Sequence, residues 1–85
     1  MKLKSDFITH TTDGEQLMIC AGGSFNGMVR SNSTAADIID LLKTETTPEA
    51  IVDAMLEKYE VEREVVARDV DKVIEALRGI GAIDE

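Results

Sequence analysis

The side chains that most often carry chemistry are scarce in this sequence. It has one cysteine, Cys20, and one histidine, His10, and the two fall on different predicted strands. A zinc site needs several such ligands converging, so we expect none here. Cys20 has no basic neighbour in sequence that would activate its thiol, which favours a small buried apolar residue over a nucleophile. His10 is expected on the solvent side of its strand.

Two other segments look like ligand-binding motifs only superficially. Gly22-Gly23-Ser24 lacks the Lys-Ser/Thr of a phosphate-binding loop, and no helix is predicted to start there, so a turn is favoured. The acidic clusters Glu60/Glu62/Glu64 and Asp69/Asp71 lack the central glycine of a calcium loop and are typical of solvated helix faces. The sequence therefore predicts no metal, no cofactor and no catalytic constellation, and we do not expect an enzyme.

The composition is that of one small, acidic, folded domain. The 85 residues include 17 acidic and 9 basic side chains, a formal net charge of −8, and 44% are hydrophobic. A single domain spanning 1–85 is expected. The charge disfavours nucleic acid and anionic membranes as partners. With a single cysteine, no signal peptide and no membrane-spanning run, the sequence predicts a cytoplasmic protein.

Residues 1–32 predict a β-meander. A first strand is expected near Leu3 to Thr11, and Asp13-Gly14 supplies a hairpin turn because both residues tolerate positive φ. A second strand follows at Gln16 to Ala21 and, after a turn at 22–27, a third at Met28 to Ser31. The second strand is apolar on both faces, whereas a sheet covered on one side would alternate. If helices cover one face, the other is expected to meet a partner, either a second copy in a homodimer or a modifying enzyme.

Residues 33–85 predict three helices. The first begins after Asn32, with Thr34 and Asp37 at the spacing of a capping box. The second begins at Thr47-Pro48, an N-cap followed by the helical position that best tolerates proline. The third runs from about Glu62 to Arg78 and stops at the glycines that follow. A three-stranded antiparallel sheet followed by three helices makes an α+β domain of winged helix-turn-helix type.

The order of residues from Asn32 onward resembles the PqqD-like family. The segment Asn32-Ser33-Thr34-Ala35-Ala36-Asp37-Ile38-Ile39-Asp40-Leu41-Leu42 is similar to the family's Asn-x-Thr-Ala-x-x-Ile-x-x-Leu-Leu. The stretch from Thr47 to Val61 resembles its second helix, and Arg68 to Leu77 followed by Gly81-Ala82-Ile83 resembles its third helix and closing signature. Ser31 departs from this pattern, since the family usually has Leu there, and Ile39 stands where an aromatic residue is common.

The resemblance implies a non-catalytic recognition element for ribosomally made, post-translationally modified peptides. In that family the leader of the precursor adds as a strand to the edge of the third strand and lies in a groove beside the third helix. The domain then presents the peptide to a separate modifying enzyme, often a radical SAM protein.

The implied peptide-binding residues form two sets. They are Met28, Val29, Arg30 and Ser31 on the third strand, and Val65, Arg68, Asp69 and Lys72 on the third helix. Met28 and Val29 would contact the peptide, and Arg30 would pair with an acidic leader residue. A flexible Met side chain suits such an adaptable surface.

Two other functions fit parts of the pattern. A winged-helix DNA-binding transcriptional regulator would share the helical trio but needs a basic recognition helix. The third predicted helix instead has five acidic and four basic residues. A structural subunit that tethers an enzyme without touching its substrate would share the fold but lack the peptide site.

Overall fold

The computed structural model describes residues 1–13, 15–20 and 27–85. The elements run in the order β1 (Lys2–Leu3), β2 (Phe7–Thr12), β3 (Glu15–Cys20), β4 (Met28–Ser31), α1 (Ser33–Leu41), α2 (Pro48–Lys58), α3 (Arg63–Gly79) and β5 (Ile83–Asp84). Strands β2, β3 and β4 form one antiparallel sheet in that order. The predicted α+β architecture, a three-stranded sheet followed by three helices, is confirmed.

A two-residue turn sets the register of the β2–β3 hairpin. Thr12 lies opposite Glu15, and the pairing continues without interruption to Phe7 opposite Cys20. Asp13 has a positive φ of 49°, the conformation predicted for this turn. Gly14, Ala21 at the end of the second predicted strand, and most of the predicted turn at 22–27 lie outside the described residues.

The first strand begins later than predicted. Leu3 does not belong to β2 but to the short strand β1, which pairs antiparallel with β5 so that Leu3 lies opposite Ile83. The Phe7 N–H donates to the Lys4 carbonyl over 3.1 Å and closes the turn between β1 and β2. Leu3 and Ile83 are both buried, so this ribbon of the two chain ends completes the core.

Helix α1 is capped by Asn32 and not by the predicted Thr34–Asp37 box. The Ala35 N–H donates to Asn32 Oδ1 over 2.9 Å, and Asn32 has the extended backbone typical of an N-cap. Thr34 therefore lies within the first turn. The Asp37 carboxylate is engaged by α2, where it accepts a hydrogen bond from the Tyr59 hydroxyl.

The other helix ends follow the sequence signals closely. The Ala50 N–H donates to Thr47 Oγ1 over 3.2 Å, which confirms the predicted start of α2. Helix α3 runs one residue past its predicted end, through Gly79, and Gly81 then takes a φ of 73°. The N–H groups of Gly81 and Ala82 donate back to carbonyls of the last turn, a Schellman arrangement that needs a left-handed residue.

The helices cover one face of the sheet and leave the other open. The core consists of the buried side chains Leu3, Phe7, Met18, Ile38, Ile39, Leu42, Ile51, Val52, Met55, Val66, Val70, Ile74, Leu77, Ala82 and Ile83. On the opposite side, which we call the outer face, the register aligns Ile8, Ile19 and Met28 in one row across the strands. About half of each of these side chains is exposed. Strand β3, the apolar second strand of the sequence prediction, thus has one face covered by helices and one uncovered face among the described residues.

Candidate functional site

Strand β4 forms an open edge of the sheet. It pairs with β3 from Ile19 opposite Met28 to Gln16 opposite Ser31, and no described strand lies on its other side. An edge strand presents a row of backbone N–H and C=O groups that an extended peptide can pair with. Because Asn32 caps α1 directly after β4, this edge leads straight to the start of the helix.

The four predicted site residues of β4 divide between the two faces of the sheet. Val29 and Ser31 point inward, where Val29 packs against the core and Ser31 is buried opposite Gln16. Met28 and Arg30 lie on the outer face, with Met28 57% exposed. Arg30 already has an acidic partner, since its guanidinium donates to the Glu15 carboxylate over 2.9 Å.

A groove runs between α1 and α3, beginning where β4 ends. Its first part has a volume of about 230 Å³ and is lined by Asn32, Thr34, Ala35, Ile38, Asp69, Lys72 and Val73. Its second part, of about 100 Å³, is lined by Thr34, Ile38, Met55, Tyr59, Val61, Val65, Val66 and Asp69. Thr34, Ile38 and Asp69 belong to both parts, so the two are continuous. We call the whole the α1–α3 groove and its second part the apolar pocket.

The apolar pocket combines a buried floor with an exposed rim. Ile38 and Met55 are almost fully buried at its base, whereas Val61 and Val65 are 48% and 44% exposed. Exposed branched aliphatic residues beside a concavity are the usual signature of a surface that accepts an apolar partner group. The pocket is therefore the most suitable place in the groove for an apolar side chain.

A polar cluster fixes one wall of this pocket. The Tyr59 hydroxyl donates to Asp37 Oδ2, and Lys58 Nζ lies 3.0 Å from Asp37 Oδ1. Partial burial would raise the pKa of Asp37, but the hydrogen bonds from Tyr59 and Lys58 outweigh it and hold that pKa below its ordinary value. The same bond to Asp37 raises the pKa of Tyr59. The cluster thus joins α1 to the end of α2 and orients the Tyr59 ring.

Two cations beside the groove have no acidic partner. Five of the basic side chains are held in ion pairs: Arg30, Lys43, Lys58, Arg63 and Arg78. Arg68 and Lys72 make no ion pair with any described residue, although the chain has 17 acidic residues. They lie four residues apart on α3, and Lys72 lines the groove. Since neither is neutralised, both are available to an acidic group of a ligand.

The predicted site residues of α3 are therefore only partly brought together. Val65, Asp69 and Lys72 line the α1–α3 groove, and Arg68 lies on the exposed surface of the same helix without lining it. The sequence did not single out the lining residues from α1, α2 and their connections: Asn32, Thr34, Ala35, Ile38, Met55, Tyr59 and Val61. Of these residues, Val61 is the one that the sequence could have identified, because it is an apolar residue in the short connection between α2 and α3.

The chemically reactive side chains lie away from this groove. His10 is exposed on the outer face opposite Leu17, as predicted for a solvent-facing strand residue. Cys20 is half-buried against the core, and its thiol donates to Asp6 Oδ2 over 3.5 Å. Within the described ranges, no three His, Cys, Asp or Glu side chains converge as metal ligands. None of the described helices has the length and apolar character to cross a membrane.

Comparison with known proteins decides the family. The family described as coenzyme PQQ synthesis protein D (PqqD) matches residues 13–83, most of the chain. The chain belongs to the PqqD family. The match begins at the β2–β3 turn and ends in β5, so this PqqD-family domain contains both the β4 edge and the α1–α3 groove within the matched region. No curated protein matches the chain.

Two solved structures share the fold of this PqqD-family domain. One is TbiB1 in complex with the TbiA(beta) leader peptide, with 26% sequence identity and a TM-score of 0.80 over 99% of this chain and 100% of that chain. The other is a lasso peptide synthetase B1 complexed with the leader peptide. Its identity is 23%, with a TM-score of 0.76 over 95% of this chain and 93% of that chain, a likeness of fold alone.

Proposed function

We propose that this PqqD-family domain binds the leader of a ribosomally synthesised precursor peptide in the cytoplasm and presents it to a separate modifying enzyme, without catalysing a reaction itself. The observation that carries the proposal is the continuity of the open β4 edge with the α1–α3 groove. The likeness to TbiB1, which was solved with a leader peptide, supports it. A radical SAM protein is our candidate for the modifying enzyme.

Backbone pairing with the β4 edge would supply most of the affinity that does not depend on the amino-acid sequence of the leader. A leader segment in extended conformation adds a fourth strand beside Met28–Ser31 and pairs with the free backbone groups. Successive side chains of a strand point to opposite faces. One set of leader side chains would therefore lie beside Met28 and Arg30, and the other set would turn inward beside Val29 and Ser31.

The α1–α3 groove would supply the selectivity. The apolar pocket, with Val61 and Val65 at its rim, suits one aliphatic or aromatic leader side chain. Arg68 and Lys72 suit an acidic leader residue, because neither cation must first give up another carboxylate. Arg30 would have to exchange Glu15 for a leader carboxylate, so we expect it to contribute less than Lys72. Asp69, which lines the same groove as Lys72, would disfavour a second acidic residue there.

The charge pattern argues against the DNA-binding alternative. Arg63 and Arg78, two of the four basic residues of the α3 region, are already paired with Asp53 and Glu75. The chain as a whole has a formal net charge of −8. A duplex needs a surface with several unpaired cations to release its counterions. Helix α3 offers two, Lys72 in the groove and Arg68 beside it, which suits a single acidic peptide side chain better than a phosphate backbone.

Titration with a leader peptide, followed by amide chemical shifts, tests the proposal. The ligand would be the leader of a short precursor peptide encoded beside this protein, and a scrambled peptide of the same composition would be its control. We expect shifts concentrated on Met28–Ser31 and on the residues of the α1–α3 groove. The backbone amides of the bound peptide form two alternate sets, of which only one faces β4. N-methylation of that set should abolish binding, and N-methylation of the other set should not.

Two results would count against leader binding. No shifts at millimolar peptide would reject it for that leader. Equal shifts with the scrambled peptide would show binding that is not specific for the leader sequence. A pulldown that retains the modifying enzyme but never the peptide would instead favour the role of an enzyme tether.

A further inference from the structure

The side of the sheet that the helices cover, which we call the inner face, carries a polar row that ends at the open β4 edge. Thr11 lies opposite Gln16, and Gln16 lies opposite Ser31, so the row crosses β2, β3 and β4. Gln16 is completely buried, and Ser31 is 8% exposed. A leader strand beside β4 would extend this row by one residue, which would lie next to Ser31.

The side-chain amide of Gln16 has a fixed orientation. Its Nε2 donates to Asp40 Oδ1 on α1 over 3.0 Å and to Thr11 Oγ1 over 3.4 Å. An ionised carboxylate only accepts hydrogen bonds, so the nitrogen and not the oxygen of the amide must face Asp40. The Oε1 atom is therefore directed away from Asp40 and Thr11. Ser31 flanks Gln16 on the side opposite Thr11.

The Oε1 atom of Gln16 is buried and accepts no hydrogen bond from any described residue. A buried acceptor without a donor is unfavourable, so a donor that reaches this atom is stabilising. Side chains directly opposite each other in antiparallel strands have Cβ atoms about 5 Å apart, so rotation of the Ser31 side chain can bring its hydroxyl to Oε1. A hydroxyl that donates to one group can still accept from another.

We propose that Gln16 and Ser31 select a hydrogen-bond donor in the leader, at the position beside Ser31. This inference rests on leader binding to the β4 edge as proposed above. The leader side chain donates to Ser31 Oγ, Ser31 donates to Gln16 Oε1, and Gln16 donates to Asp40. The three bonds run in one direction and end on a carboxylate, so they strengthen one another. The leader side chains that fit are those of Ser, Thr, Asn and Gln.

The direction of these bonds disfavours aliphatic and acidic leader residues at this position. An aliphatic side chain has no donor for Ser31. A carboxylate only accepts, so Ser31 would have to donate to it and would leave Gln16 Oε1 without a donor.

The adjacent inward position of the leader has the opposite preference. Val29 packs against the core and lies opposite Met18, which is almost fully buried. A leader residue beside Val29 is two positions from the residue beside Ser31, because alternate side chains of a strand share a face. It therefore suits an aliphatic side chain. The inner face of β4 thus calls for a polar donor and an aliphatic residue at a spacing of two.

Calorimetric titration with a series of leader variants tests the proposal. Each residue in the leader of the precursor peptide encoded beside this protein is replaced in turn by Thr and by Val, which differ by a hydroxyl in place of a methyl group. At one position the Thr peptide should bind the wild type about tenfold more tightly than the Val peptide. Two positions away, the Val peptide should bind more tightly than the Thr peptide.

Variants of Ser31 assign this preference to its hydroxyl. Ser31→Ala should bring the affinities of the Thr and Val peptides within about twofold of each other. Ser31→Thr keeps the hydroxyl on a side chain common in strands and should preserve the tenfold ratio. Ser33→Ala is the matched control, because Ser33 is exposed at the start of α1 and should not affect the ratio. Thermal unfolding checks that each variant is folded.

Two outcomes would overturn this inference and leave leader binding intact. One is a leader that binds the wild type but has no position at which Thr is preferred over Val. The other is a preference for Thr that persists undiminished in Ser31→Ala. Failure of the unaltered leader to bind the wild type would instead reject the proposed function, and this inference with it.

Discussion

The Tyr59 hydroxyl donates a hydrogen bond to the Asp37 carboxylate and so connects the end of α2 to the middle of α1 across one wall of the apolar pocket. Asp37 is 23% exposed and is also paired with the more exposed Lys58. The ring of Tyr59 and the side chain of Ile38 both line that pocket. The polar cluster therefore affects the shape of the apolar pocket, although neither Asp37 nor Lys58 lines it.

We expect Asp37→Asn to destabilise the fold by about 1 kcal/mol at neutral pH, since it weakens a hydrogen bond to a charged acceptor on a half-exposed surface. The pKa of Asp37 is lower in the folded protein than its ordinary value. Its contribution is therefore complete above the unfolded-state pKa of about 3.9 and is lost as the pH falls through the lower folded-state pKa. Urea unfolding of both proteins should give a constant difference from pH 5 to 7 that narrows below about pH 4. A difference that changes between pH 5 and 7 would assign the effect to another group.

Lys72→Glu should weaken leader binding about tenfold, because it replaces an unpaired cation in the groove by a carboxylate. The loss should shrink as the salt concentration rises, as expected for a partly exposed ion pair. Fluorescence anisotropy of a labelled leader at 50 and 500 mM salt provides the measurement. Lys2→Glu is the matched control, since Lys2 is also exposed and lies on β1 away from the groove. Equal effects of the two substitutions would indicate a response to net charge only.

Val65→Glu should strongly reduce leader binding and hardly alter stability. Val65 is 44% exposed at the rim of the apolar pocket, so the free energy of unfolding should change by no more than about 0.5 kcal/mol. A buried carboxylate in the complex would, however, lose its hydration. Calorimetric titration and thermal unfolding measure the two quantities separately. Ala50→Glu, an exposed position on α2, should preserve both affinity and stability.

Asn32→Ala should cost about 1 kcal/mol of stability, the usual loss for an N-cap with an intact side-chain hydrogen bond. Thr34→Ala should cost less than half as much, because Thr34 lies within the first turn and does not cap the helix. The loss of stability of each variant, measured by thermal unfolding, distinguishes the Asn32 cap from the Thr34–Asp37 capping box. A larger loss for Thr34→Ala would restore the capping box that the sequence suggested.

The parts of the fold that the sequence predicted are those determined by neighbouring residues. Thr47-Pro48 marks the start of α2, and Asp13-Gly14 marks a two-residue hairpin, because capping and turn geometry depend on a few adjacent positions. The ribbon of β1 and β5 was not predicted. It joins segments about eighty residues apart, and two-residue strands have no periodicity to reveal them.

The candidate site was predictable only along single elements. The stripe on α3 placed Val65, Asp69 and Lys72 together because helical spacing alone decides which residues share a flank. The residues of the opposite wall could not be predicted, because they depend on how α1 and α2 pack and no local sequence pattern determines that packing. Arg30 shows the same limit, because only the β3–β4 register places it beside Glu15 on the outer face.

The ribbon of β1 and β5 has an architectural consequence. It holds Lys2 directly opposite Asp84, so the two ends of the domain leave the core side by side. Adjacent ends are what allows one domain to be inserted into a surface loop of another. A host enzyme should therefore accept this unit through two short linkers, with the β4 edge and the α1–α3 groove undisturbed.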